Sequence, residues 1–206
     1  MFQFAFFLLF AARLASSLPS SLPKRSEGSW CDDLGGGAYD LAYNFYLTAV
    51  NTTLPNANTT GAPLVLNPQG QNSSGEAIYN VATYHSQPDT MGIWPNFTLD
   101  HGTLVANYPT DLTLSPVGVD TEDGGPVVFT ADTTNASQIY CGVADTDPEQ
   151  GGRPLLALYN NLSEFSICHQ TDGGNADLLI YNASSENSLY DYNSCYAVLL
   201  HLIYDY

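Results

Sequence analysis

From Asp40 onward, apolar residues gather in short runs of strand length, some with a period of two, separated by clusters of Gly, Pro, Asn, Asp and Ser. Side chains on a strand point alternately to its two faces, so this spacing is what half-buried strands require. Phe45-Tyr-Leu-Thr-Ala-Val50 alternates and then breaks into Asn-Thr-Thr-Leu-Pro-Asn, a loop composition. Pro63-Leu-Val-Leu66 ends at Asn-Pro-Gln-Gly, and the run Ala77 to Tyr84 is bounded by Gly75 and Pro88. Phe97-Thr-Leu99 and Thr103-Leu-Val-Ala106 flank Asp100-His101-Gly102, which predicts a hairpin. Further strands are expected at Val127 to Thr130, Gln138 to Val143, Leu155 to Tyr159, Phe165 to Cys168 and Asp177 to Tyr181. Only Asp40 to Phe45 has a pattern that could begin a helical turn.

The run Cys195-Tyr-Ala-Val-Leu-Leu-His-Leu-Ile-Tyr204 is the most apolar stretch after the N-terminal segment. Its two alternating sets, Tyr196, Val198, Leu200, Leu202 and Tyr204 against Ala197, Leu199, His201 and Ile203, are both largely apolar. That pattern predicts a core strand covered on both faces. Short strands with turn signals every ~8–12 residues make the fold all-β, a single antiparallel sandwich or barrel. A β-trefoil is the alternative.

The N-terminus is of another kind. Phe2 to Ala12 is an apolar run followed by small residues at Ala15, Ser16 and Ser17, so residues 1–17 read as a secretory signal peptide. Residues 18–25 form a Pro/Ser linker ending in the pair Lys24-Arg25, which resembles the cleavage site of the fungal secretory-pathway processing protease. Residues 26–206 are then one β-rich domain. The C-terminal strand is too short, and ends too acidic, for a lipid-anchor tail.

Composition narrows the partners. Of 206 residues 12% are charged, against the usual ~25%, so charge repulsion does not keep this chain unfolded. The net charge is −17, and after cleavage at Arg25 the 21 acidic residues face Arg153 alone. One arginine cannot build a basic patch, which excludes nucleic acid and an anionic membrane surface as partners.

Seven Asn-x-Ser/Thr sequons, at Asn51, Asn58, Asn72, Asn96, Asn135, Asn161 and Asn182, fit an exported chain and mark loops or strand edges wherever they carry glycans. Four cysteines, Cys31, Cys141, Cys168 and Cys195, form two disulfides in that compartment, with three connectivities open. Closing the 27-residue separation from Cys168 to Cys195 is worth ~3–4 kcal/mol in the loop-entropy picture. That pairing is favoured, leaving Cys31 with Cys141. The same wide spacing argues against zinc.

Catalytic chemistry finds little to hold. Asp145-x-Asp147-x-Glu149 departs from a calcium loop, because Gly151 falls at the seventh position and Leu156 stands where a bidentate Glu belongs. Asp120-Thr-Glu122-Asp123-Gly-Gly reads as a turn rich in solvated acids. His85, His101, His169 and His201 show no metal-ligand spacing and read as surface or hydrogen-bonded structural histidines. No G-x-S-x-G elbow is present. With 21 acids a carboxylate pair arises by chance, so a small carboxylate-dependent hydrolase stands only as a second alternative. Fourteen tyrosines and two tryptophans could stack on sugars, and Trp94, beside Pro95 and a sequon, is the best single candidate for that role.

Several stretches also carry a resemblance. Phe45-x-Leu-Thr-Ala-Val-Asn-Thr-Thr-Leu-Pro-Asn-Ala-Asn-Thr-Thr-Gly-Ala-Pro-Leu-Val-Leu66 is similar to a segment of small secreted proteins of mushroom-forming fungi. So are Phe97-Thr-Leu-x-x-Gly-Thr-Leu104, Pro154-Leu-Leu-Ala157 with Phe165-Ser-Ile-Cys168, and Tyr192-x-x-Cys195-Tyr-x-Val. These proteins are distantly similar to PhiA-type fungal cell-wall proteins. The resemblance implies a secreted, β-rich, wall-associated glycoprotein in which the cysteines matching Cys168 and Cys195 pair, Cys31 and Cys141 being additional. The expectation is therefore a non-enzymatic extracellular glycoprotein without catalytic residues, cofactor or metal, whose partner would be cell-wall polysaccharide. A lectin-like carbohydrate-binding module is the first alternative.

Overall fold

The computed structural model describes residues 29–87, 95–108, 114–145, 152–171 and 174–204. The signal segment, Lys24, Arg25 and Trp94 lie outside the described residues. Among the described residues there are thirteen strands and three single-turn 3₁₀ segments, and every strand pairing is antiparallel. In chain order the strands are β1 (Ala38–Tyr39), β2 (Leu41–Asn51), β3 (Ala62–Gln71), β4 (Ala77–Thr83), β5 (Asn96–Asp100), β6 (Thr103–Asn107) and β7 (Val117–Gly118). There follow β8 (Val128–Thr130), β9 (Tyr140–Val143), β10 (Leu155–Leu158), β11 (Phe165–Gln170), β12 (Asp177–Tyr181) and β13 (Tyr190–Tyr204).

Nine of them close on themselves in the order β13, β2, β5, β6, β7, β8, β4, β12, β11 and back to β13. The fold is a closed antiparallel β-barrel. Closure removes the unpaired edges that an open sheet would expose. Strand β3 links β2 to β4 directly, and β10, β9 and β1 extend in that order from β13.

The last strand is the hub, as its apolar pattern predicts. One edge of β13 pairs with β2 from Val198↔Asn51 to Tyr204↔Phe45. The other edge is shared by β11 along its first part and β10 at Leu155↔His201. Val198, Leu200 and Leu202 are each 1% exposed and join Phe45, Phe97, Phe129 and Phe165 in the main core. Those rings come from β2, β5, β8 and β11; Phe97 lies 6.3 Å from Phe45 and 6.0 Å from Phe129 between centroids. Burying each phenyl ring stabilises the fold by ~1.5–3 kcal/mol. The other face of β13 is less evenly covered: Ala197, Leu199 and Ile203 are half-buried, whereas His201 is 1% exposed.

Two local expectations are corrected. Residues Asp40 to Phe45 make no helical turn; from Leu41 they belong to β2, with Asn44 at φ 52° in a register shift between Ala42 and Phe45. The ladders to β5 and β13 override the weak local pattern. Asn67-Pro-Gln-Gly70 does not end its strand either, because β3 runs on to Gln71 through a bulge at Pro68/Gly70, where Gly70 takes φ 101°. The predicted hairpin is present, with His101 at φ 48° and Gly102 at φ 80° forming its two-residue turn. The two-residue strands β1 and β7 are too short for a pattern to announce.

Candidate functional site

A cleft of about 480 Å³, the main cleft among the described residues, opens where four segments meet. They are the end of β2 with its loop into β3, the junction of β4 with the 3₁₀ turn Tyr84–Ser86, the start of β12, and the middle of β13. Tyr84, Tyr196, His85, Asn56, Asn58 and Asp177 are its chemistry-bearing residues. Local hydrogen bonds hold these pieces in place. Ser86 Oγ donates to the Thr83 carbonyl at 2.9 Å and accepts from the Asp177 N–H at 2.9 Å, fastening the 3₁₀ turn to β12. The Asn56 side chain accepts from the Asn51 N–H at 2.8 Å and donates to the Asn51 carbonyl at 2.9 Å, folding the loop back onto the strand end.

Among the described lining residues Asp177 is the one carboxylate, and its Oδ1 lies 3.0 Å from His169 Nδ1. Burial, and secondarily the Asp177 charge, raise the Tyr196 pKa above its ordinary value, so this hydroxyl stays protonated and can donate. A cleft lined by two tyrosines, three asparagines, an imidazole and one described acid can bind polyhydroxylated molecules through apolar ring faces and hydrogen-bonding rims. It lacks a second described carboxylate to work opposite Asp177 in glycoside hydrolysis.

A second, more polar opening of about 350 Å³ lies beside Ser163, Glu164, Ser166, Asn182 and Tyr192. Its Tyr192 stands 47% exposed on an excursion of β13 opposite the register shift between Ile167 and His169. Ser194 Oγ accepts from the His169 N–H at 2.8 Å and donates to the Asp191 carbonyl at 2.5 Å, shaping that excursion.

The disulfides are Cys31–Cys141 and Cys168–Cys195, the favoured pairing. The seven sequon asparagines do not converge. Asn51 and Asn58 both line the main cleft, and Asn182 lines the second opening. In three sequons the hydroxyl and N–H two residues on both donate to the asparagine Oδ1: Thr53 to Asn51, Thr60 to Asn58 and Ser163 to Asn161. Asn72 and Asn135 instead spend their amide nitrogens on Glu76 at 2.8 Å and Asp132 at 2.6 Å. Asn96 opens β5 with a buried Oδ1, and Phe97, in the middle of its sequon, is fully buried.

The remaining predicted groups are dispersed. His101 and His169 are exposed beside Asp100 and Asp177, and His85 is exposed on the rim of the main cleft. His201 departs from the expectation of a surface or hydrogen-bonded histidine: it is buried, and neither ring nitrogen has a protein hydrogen-bond partner among the described residues. Its place on β13, between β2 and β10, decides this. Burial lowers its pKa; Arg153 lowers it further, and Asp145 partly offsets both. Of the calcium-like run only Asp145 is described, and no group of three His, Cys, Asp or Glu among the described residues could hold a metal ion. Asp120, Glu122 and Asp123 are exposed on a turn closed by Gly125 N–H donating to the Glu122 carbonyl at 2.9 Å.

Sequence reasoning passed over Tyr84, Tyr196 and Asp177, since nothing in their local pattern separates them from ordinary strand residues. The Asn/Thr-dense loop 51–61 was the available signal.

Fold and disulfides thus define a disulfide-stapled, closed antiparallel β-barrel with an amide- and tyrosine-lined cleft. No protein-family model, curated protein or solved structure matches the chain. No helix among the described residues is long and apolar enough to cross a membrane.

Proposed function

We propose that the chain is a secreted, N-glycosylated, non-enzymatic protein of the fungal cell wall or its surroundings, and that the main cleft binds a carbohydrate of that wall. The observation that carries this reading is the cleft itself, which Tyr84 and Tyr196 line together with His85 and Asp177, the one carboxylate described there. Aromatic faces offer the apolar contact that sugar rings seek, and the Tyr196 hydroxyl, the His85 ring and the Asp177 carboxylate supply hydrogen-bonding partners for their hydroxyls. Two disulfides support an oxidising compartment, as the apolar leader and the sequons do in the sequence. The single described acid in the cleft favours binding over hydrolysis.

The test is binding of wall oligosaccharides, measured by calorimetry on the glycan-free chain and on its Tyr196→Ala and Tyr84→Ala variants. Tyr196→Ala is expected to weaken binding at least tenfold; because its half-buried ring also packs against the main core, the unfolding midpoint should fall too, and binding is measured well below it. If the glycan-free chain binds none of the chitin-, glucan- or mannan-derived oligosaccharides, the reading fails. Sugar release abolished by Asp177→Asn would move it to a hydrolase.

A further inference from the structure

Asn58 is at once a residue of the main cleft and the first residue of an Asn-x-Thr sequon. The loop holds it firmly. Its Oδ1 accepts from the Thr60 N–H at 3.0 Å, the Thr60 hydroxyl at 3.0 Å and the Gly61 N–H at 2.7 Å. Gly61 itself is pressed onto β2: a Cβ there would stand 2.4 Å from the Ala49 carbonyl oxygen and 2.7 Å from Val50 Cγ2. On the residue between, the Arg153 guanidinium donates to the Thr59 carbonyl. With Oδ1 engaged on three donors, the amide nitrogen, the atom that carries a glycan, has no partner among the described residues. Asn58 is exposed, whereas Asn51, the other sequon residue in the cleft, is half-buried and has its main chain clamped by Asn56.

A glycan on Asn58 therefore starts from a fixed point on the wall of the cleft. Every N-glycan begins with two β-1,4-linked N-acetylglucosamine residues, each with an apolar ring face and an acetamido group. That disaccharide is of the size class that clefts of this volume accept. A tethered ligand has an effective concentration of roughly millimolar, which fills a site with a Kd of about 0.1 mM to about nine-tenths.

We propose that the N-glycan on Asn58 occupies the main cleft in cis, so that glycosylation at this one sequon decides whether the cleft is open to an external polymer of the same N-acetylglucosamine chemistry. The proposal rests on the carbohydrate-binding reading of the cleft. It makes Asn58 a regulatory modification site, distinct from the six other sequons.

The experiment uses N,N′-diacetylchitobiose as probe and the full secreted chain from a glycosylating host, measured by calorimetry. Thr60→Ala and Thr60→Val each remove the sequon while leaving Asn58 and the two main-chain bonds to its Oδ1 in place, and Thr53→Ala removes the Asn51 sequon as a control. The expected result is at least tenfold tighter binding by Thr60→Ala and Thr60→Val than by wild type. Thr53→Ala should match wild type, and Tyr196→Ala placed on Thr60→Ala should lose the gain. Equal affinity in wild type and both Asn58-sequon variants, still abolished by Tyr196→Ala, would overturn the cis glycan and leave the cleft reading standing. Absence of chitobiose binding in every form, glycan-free chain included, would overturn the cis glycan; failure of the whole oligosaccharide panel would remove the cleft reading as well. Glycopeptide mass mapping that finds Asn58 bare in the secreted protein would overturn the proposal directly.

Discussion

The two disulfides make the same bond in two different settings. Cys31–Cys141 spans 110 residues and fastens a segment with little else to hold it: β1 has two residues, paired only with β9. Around it lies a small satellite core of Ala38 and Ala157 with the partly buried Trp30, Leu34, Val143 and Leu162. Cys168–Cys195 spans 27 residues and joins strands already in register from Phe165↔Val198 to Ile167↔Tyr196. What it adds is control of the excursion in β13, since Cys195 stands at the point where the ladder lapses between Ile167 and His169. The first bond closes a long loop and holds a short edge strand; the second shapes a strand whose pairing is secured elsewhere. Stabilisation and positioning are separable uses of one covalent link.

The sharpest way to break this contrast is to remove each bond in turn. In the loop-entropy picture, Cys31→Ser with Cys141→Ser costs about 5 kcal/mol, the larger effect because the closed loop is longer. Urea unfolding should show it, and amide exchange should speed most across residues 29–39. Cys168→Ser with Cys195→Ser should cost about 3.5 kcal/mol, with faster exchange confined to residues 190–196. Equal losses, or exchange that spreads through β2 in the second variant, would mean that the two bonds do the same work.

A smaller effect sharpens the first region. Gly102, in the turn between β5 and β6, sits at φ 80° beneath Trp30, and a Cβ there would lie 2.4 Å from the indole Nε1. Its carbonyl accepts from the N–H groups of both Ile139 and Tyr140, tying the turn to β9. Gly102→Ala should cost about 2–3 kcal/mol, from backbone strain together with displacement of the ring. Trp30 fluorescence should shift to the red as the indole leaves its seat. An unchanged emission maximum would show that Trp30 does not depend on the turn.

The smallest expected effect concerns His201. Its ring is buried on β13 opposite Thr48, whose hydroxyl also lacks a protein partner among the described residues. Its pKa in the folded chain lies below the 6.5 of an exposed histidine, by burial first and Arg153 second, against the opposing pull of Asp145. The unfolded chain therefore takes up the proton first as the pH falls. Stability is full above about pH 6.5 and declines from there towards the folded-state pKa. His201→Leu should stabilise the fold by about 1 kcal/mol at pH 7.5, by removing two buried nitrogens without partners. The advantage should widen between pH 6.5 and 5.5 in paired urea titrations; a constant difference across that range would show that His201 is not the titrating group.

Much of the architecture was legible in residues alone. Short apolar runs bounded by Gly, Pro, Asn and Asp located most of the strands, because turn residues mark where a ladder stops. Asp100-His101-Gly102 announced its hairpin, because a tight turn of this kind needs left-handed residues and glycine supplies one without strain. The even cysteine count announced two disulfides, and the favoured pair Cys168–Cys195 is present with Cys31–Cys141. The strand Leu41–Asn51 was foreshortened and the 67–70 bulge was missed, because ladder hydrogen bonds to distant partners outweighed local propensity.

Sequence by itself determined the strand content, the two turn-forming positions of the hairpin, the sequons and the near absence of positive charge beyond Arg25. The tertiary structure decided the rest, because alternation names a face and never a neighbour. It brought Asn51 and Val198 into register, buried His201 between β2 and β10, and closed nine strands into a barrel. It also gathered Asn58, Tyr84, Asp177 and Tyr196 from four separate stretches into one cleft. No local pattern can encode that meeting, since it exists only once the long-range ladders have formed.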